Sequence, residues 1–86
     1  MSPPDLRFEL RRHLASRPTV AEDTASIRHH LARKGLRAES DEILAGLVFL
    51  EGLSPAQVIR HHNPLGGSDA GWQVTSAGIL AHERLD

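Results

Sequence analysis

An α+β domain with a three-helix core, a two-stranded wing hairpin and a C-terminal helix is what this 86-residue chain predicts, on three observations. Leu and Ile recur at helical spacing in three successive stretches before residue 53, each opened by a capping residue and closed by Pro or Gly. Two β-branched runs then flank a loop rich in Gly, Pro, Asn and Asp, the pattern of a hairpin. A last apolar stretch at helical period follows. Helix, helix, turn, helix, hairpin is the order of a winged helix-turn-helix. Residues 1–86 show no internal repeat and no linker, so a single domain is expected.

Helix 1 starts in Ser2, Pro3, Pro4, Asp5. Proline is tolerated in a first turn, where no N–H is needed, and Asp5 stands three residues after Ser2 in a capping-box-like arrangement. The helix should run to about Ser16, with Leu6, Leu10 and Leu14 inward and His13 beside them. Phe8 falls on roughly the opposite face. No second neighbour for helix 1 is evident in the pattern, so Phe8 is either partly covered or a dimer contact. Pro18 stops the helix, and Thr19 and Val20 are expected to add a short extended piece against the wing. Asp23 or Thr24 caps helix 2, which buries Ile27 and Leu31 and ends at Gly35 in the left-handed C-terminal position. Leu36 should lie between helices 2 and 3.

Helix 3 is the stretch around which the chain is organised. Ser40 is expected as its N-cap, with the first helical residue near Asp41, and Ile43, Leu47 and Leu50 form its buried stripe. Rotating about 100° per residue from that stripe puts Asp41, Leu44, Ala45 and Val48 on the outward face. Gly52 ends the helix. Gln57 to His62 reads as the first strand, Asn63 to Gly71 as the wing tip, and Trp72 to Thr75 as the return strand, with Trp72 and Val74 sharing a face. Thr75 or Ser76 caps a last helix carrying Ile79, Leu80, Ala81 and Leu85.

Composition narrows the function. The formal net charge of −1 supplies no global attraction to nucleic acid or anionic membrane. Local asymmetry is present, because the nine Arg and one Lys concentrate in the first half of the chain. With no cysteine there is neither a disulfide framework nor a thiolate metal site. No apolar run approaches the ~20 residues that cross a bilayer, which makes a cytoplasmic protein without membrane contact the expectation. An enzyme is not expected, since Gly66 and Gly67 lack the spacing and following Lys of a phosphate loop and no serine sits in a nucleophile elbow. No cofactor is expected. The six histidines include the pairs His29, His30 and His61, His62. Adjacent residues point in different directions on a helix or strand, so neither pair converges on one ion. A metal site would need one member of each pair brought together by the fold, and none is assigned.

The segment Leu47 to Leu53, LVFLEGL, is similar to the exit from the recognition helix in winged-helix proteins of the arsenic-repressor and multiple-antibiotic-resistance-repressor type. Residues 72–78, WQVTSAG, resemble the strand-to-helix junction of the same proteins. In length and helix spacing the chain is also similar to short winged-helix proteins of Mu-like prophages. The resemblance covers about residues 5–84. It implies a winged-helix fold, a small transcription regulator binding double-stranded DNA, and dimerisation through terminal helices. DNA-binding members present polar or basic residues where this chain has Leu44, Ala45 and Val48, and metal-sensing members use cysteines that are absent here.

Two functions follow. In the first, Arg28, Arg33, Lys34 and Arg37 hold the DNA backbone beside the major groove, while Arg60, His61 and His62 support a wing in the minor groove. In the second, the outward face of helix 3 meets a protein partner or a second copy through Leu44, Ala45 and Val48, with Phe8, Leu80 and Leu85 of the terminal helices adding dimer contacts. The first draws on the fold and the basic patch. The second draws on the face itself: none of Arg, Lys, Asn or Gln, the residues that read bases, occurs from Ala38 to Ala56.

Overall fold

The computed structural model describes residues 2–61 and 71–85, with the side chain of Leu85 outside that set. The fold is mixed α+β. Helices α1 (Pro3–Ala15), α2 (Thr24–Arg33) and α3 (Ser40–Glu51) precede strands β1 (Val58–His61) and β2 (Gly71–Val74), and α4 (Ser76–Leu85) closes the order. His62 and residues Asn63 to Ala70 of the expected wing tip lie outside the described residues, while Gly71, expected as the last residue of that tip, instead opens β2 opposite His61.

Local chemistry accounts for each helix start. The Ser2 hydroxyl accepts the Asp5 N–H and donates to the Asp5 carboxylate, which opens α1. Asp23 caps α2, its carboxylate accepting the Ser26 N–H at 2.7 Å. At α3 the expectation is corrected: Ser40 is already helical and Glu39 is the N-cap. The Glu42 carboxylate reaches back to accept the Glu39 N–H at 3.0 Å, which moves the helix start one residue earlier. At the C-terminus of α2, Gly35 takes φ +81°, and the Gly35 and Leu36 N–H groups donate to the Ala32 and Leu31 carbonyls. That double bond is a Schellman motif, and it sets the turn into α3.

The core is one cluster. Leu6, Leu10 and Leu14 of α1 meet Ile27 and Leu31 of α2, Ile43, Leu47 and Leu50 of α3, and Val58, Trp72 and Val74 of the hairpin. Helix α1 is central, lying against α2, α3, α4 and β2. The expectation that it lacks a second neighbour is therefore corrected: α4 packs on it, and the His82 ring lies 5.7 Å from that of half-buried Phe8.

The strands pair antiparallel, Val58 opposite Val74 and Arg60 opposite Trp72. β1 starts at Val58 and not at Gln57, whose N–H is turned back to the Leu50 carbonyl. Thr75 is outside β2 because its side chain caps α4, accepting the Gly78 N–H. The extended piece before α2 also differs from expectation. Val20 donates to the Arg17 carbonyl and so closes a turn, and the residue that joins the hairpin is Glu22. Glu22 and Trp72 exchange both backbone bonds, at 3.0 and 2.7 Å, as an isolated antiparallel bridge.

Candidate functional site

Three surfaces or clusters carry chemistry, and strand alternation decides the first. Residues directly opposite in an antiparallel ladder share a face. Arg60, Trp72 and Glu22 therefore form one row, and Trp72 is buried, so all three lie on the inner side. The Arg60 guanidinium sits 4.5 Å from the Trp72 ring centre and donates to the Glu51 carboxylate at 3.1 Å. It is half-buried and engaged inside the domain. His61 lies on the opposite face, exposed, where it is bonded to Gln73 at 2.8 Å. Gln73 in turn donates to the Pro18 carbonyl. The period-2 alternation places Arg60 and His61 on different faces of β1.

The other cations stay outside. Arg28, Arg33, Lys34 and Arg37 are all exposed along α2 and the following turn. Arg28 and Arg37 line a common depression of about 310 Å³, but Glu39 lines it too and pairs with Arg28 at 3.4 Å. An exposed pair of this kind contributes little stability. It does add a negative charge to the edge where a phosphate would approach.

The second surface is the outward face of α3. Leu44 and Val48 are exposed at 44% and 45%, one helical turn apart, and Ala45 and Phe49 form a second ridge beside them. Phe49, a residue the periodicity analysis did not single out, is 48% exposed with the Arg7 guanidinium 3.9 Å above its ring. Between the ridge and α1 lies a depression of about 240 Å³ lined by Pro3, Leu6, Arg7, Glu42, Ala45, Gly46 and Phe49. A neighbouring depression brings Phe8 and Phe49 to the same rim. Leu80 is exposed at 48% but lies elsewhere, on α4 beside Leu53 and Pro55. The structure thus joins Phe8 to the α3 face and leaves Leu80 apart from it; the Leu85 side chain lies outside the described residues. Phe49 was legible in principle, since it follows Val48 at the edge of the outward arc.

The third feature is buried. His13 Nε2 and Glu22 Oε2 are 2.9 Å apart, with side chains exposed at only 4% and 5%. The remaining carboxylate oxygen, Oε1, accepts from Arg17 Nη1 at 2.8 Å. His30 Nε2 lies 3.9 Å from Glu22 Oε2 and 3.2 Å from Arg17 Nη1, and its ring stacks on that of His13 at 5.0 Å. The donor atoms of His13, Glu22 and His30 all fall within 4.8 Å of one another. The expectation that any such grouping would combine the two histidine pairs is corrected: the fold unites His30 with the solitary His13 around Glu22. Burial of Glu22 follows from its backbone rung to Trp72, a long-range pairing with no local sequence signal.

No protein-family model matches the chain, and no curated protein and no solved structure matches it either. Among the described residues no helix is long and apolar enough to cross a membrane.

Proposed function

We propose that the protein is a winged-helix module whose α3 face binds a second copy of the same chain. The single observation that carries this reading is the exposed ridge of Leu44, Val48 and Phe49, three large apolar side chains on the helix that a DNA-reading winged helix would insert into the major groove. A second copy fits because the rim carries both signs. Acidic Asp41 and Glu42 stand at the N-terminal end of the ridge, and Arg7 covers Phe49 towards its C-terminal end. Two α3 helices packed antiparallel about a two-fold axis would bring the acids of one copy near Arg7 of the other, the self-complementarity an isologous interface requires.

The test is the oligomeric state over a concentration series, by sedimentation or light scattering. Wild type is expected to dimerise and Val48→Arg to dissociate, with helix content unchanged. The substitution removes apolar burial from both copies, roughly 1.5 kcal/mol each, so the dimer dissociation constant should rise about 100-fold. A wild-type protein that stays monomeric at every concentration would end this reading.

Duplex DNA binding is the second reading, favoured by the exposed run Arg33, Lys34 and Arg37 at the end of α2. Under it the domain is a small transcription regulator related to the repressor-type winged helices. Fluorescence anisotropy on a labelled duplex should then show affinity falling steeply with salt. Arg33→Ala together with Lys34→Ala should lower the slope of log affinity against log salt by about 2. Equal binding and an equal slope in the double variant would remove those two residues from the DNA contact.

A further inference from the structure

We propose that His13, Glu22 and His30 form a binding site for a divalent transition-metal ion of the zinc class. Each ligand comes from a different segment: His13 from the last turn of α1, Glu22 from the bridge to β2, and His30 from the last turn of α2. An ion there would fasten the two helices to the hairpin. Ligand atoms on a tetrahedral zinc at about 2.0–2.1 Å stand roughly 3.3 Å from one another. The two separations to Glu22 Oε2 are 2.9 Å from His13 Nε2 and 3.9 Å from His30 Nε2, which bracket that value. Small side-chain adjustments would equalise them.

The carboxylate divides its two oxygens in the way a metal ligand does. Oε2 faces both imidazole nitrogens, while Oε1 is held by Arg17. Arg17 keeps its bond to Oε1 while Oε2 turns to the ion, and its positive charge beside the site opposes that of the ion. It would surrender only its contact with His30, and its side chain is 44% exposed, so it has room to move. The ion would take the place of the His13–Glu22 hydrogen bond. Two imidazoles and one carboxylate without a thiolate suit Zn²⁺, Co²⁺ or Ni²⁺ and not Mg²⁺ or Ca²⁺, which take oxygen ligands. Three protein ligands leave a fourth position for water. His30, one-third exposed, marks the side from which an ion can enter.

The experiment is a titration of the full chain with Zn²⁺, read by calorimetry and by thermal unfolding, with Co²⁺ absorption reporting the coordination geometry. One ion per chain is expected. At about 100 times the dissociation constant, the Tm should rise by on the order of 10 °C, with no rise in Mg²⁺. His30→Ala should weaken binding by at least about tenfold and remain folded, because His30 lies at the edge of the core, whereas His29→Ala, its exposed neighbour, should bind as wild type does. Arg17→Ala should bind the ion more tightly, since a cation beside the site is removed, even while the metal-free protein loses stability. That opposition distinguishes a metal site from a purely structural ion-pair network, in which nothing would tighten. Absence of a Zn²⁺-dependent Tm rise, equal affinity in His30→Ala, or weaker binding in Arg17→Ala would each overturn the proposal.

Discussion

Gly78→Ala is expected to destabilise the domain by about 3 kcal/mol, a large fraction of what a chain of this size possesses. Gly78 lies in the first turn of α4 directly against the start of the hairpin. A Cβ there would overlap the Gln57 carbonyl oxygen and come within 2.7 Å of Val74 Cγ2. The Gln57 oxygen cannot retreat, because it accepts the Thr75 N–H at 3.0 Å. Thr75 is itself fixed, its hydroxyl donating to the Ala56 carbonyl at 2.6 Å while accepting the Gly78 N–H at 3.1 Å. Relief therefore requires α4 to lift from β1, breaking a cap and exposing Ile79. The gain in helix propensity on replacing Gly by Ala, about 1 kcal/mol, opposes the loss without matching it. Urea unfolding followed by circular dichroism measures the difference as a lower midpoint at equal slope. Gly52→Ala is the internal control: φ there is −79° and the nearest contact, to the Val48 carbonyl oxygen, is an ordinary 3.4 Å. That variant should be neutral or slightly more stable. Equal midpoints for Gly78→Ala and wild type would show that the α4 junction is looser than this geometry requires.

Trp72→Ala is expected to destabilise the domain by about 4–6 kcal/mol, a large share of its total stability, and to unfold at a much lower urea midpoint than wild type. The side chain is 1% exposed and lies in the core formed by all three leading helices and the hairpin. Removing it costs about 3–5 kcal/mol through lost burial and the cavity left behind. Loss of the Arg60 stack adds about 0.5–1 kcal/mol. A domain of this length holds only about 4–13 kcal/mol in total. Trp72→Phe, which refills much of the space, should retain a cooperative transition at a lower midpoint. Far-ultraviolet circular dichroism with urea titration reads both variants. A Trp72→Ala protein unfolding at the wild-type midpoint would contradict the central place given to this ring.

Both predictions bear on function through position. Trp72 stands between Arg60 and Glu22: its ring lies under the inward-turned Arg60 guanidinium, and its backbone is bonded to that of Glu22, the acid at the centre of the buried histidine cluster. Gly78 holds α4 on the hairpin, and α4 covers the side of α1 that carries Phe8. Val48 is exposed and outside the core, which is why Val48→Arg alters association while the fold persists.

Periodicity and capping chemistry alone determined the order of the elements, the buried stripes of α1 and α3, the cap at Ser2, a cap at Asp23 or Thr24 that the structure assigns to Asp23, the left-handed Gly35 and the inward pair Trp72 and Val74. These are contacts between neighbours in sequence or consequences of a fixed rotation per residue, so the residues themselves contain the information. The outward face of α3 was legible for the same reason. Tertiary structure alone decided the rest. It turned Arg60 inward onto Trp72 and Glu51, placed α4 beside Phe8, and gathered His13, Arg17, Glu22 and His30 at one point. Those outcomes depend on which strand faces which and on where the α1–α2 connection rejoins the sheet, and a backbone rung between residues 22 and 72 leaves no trace in the amino acids near either end.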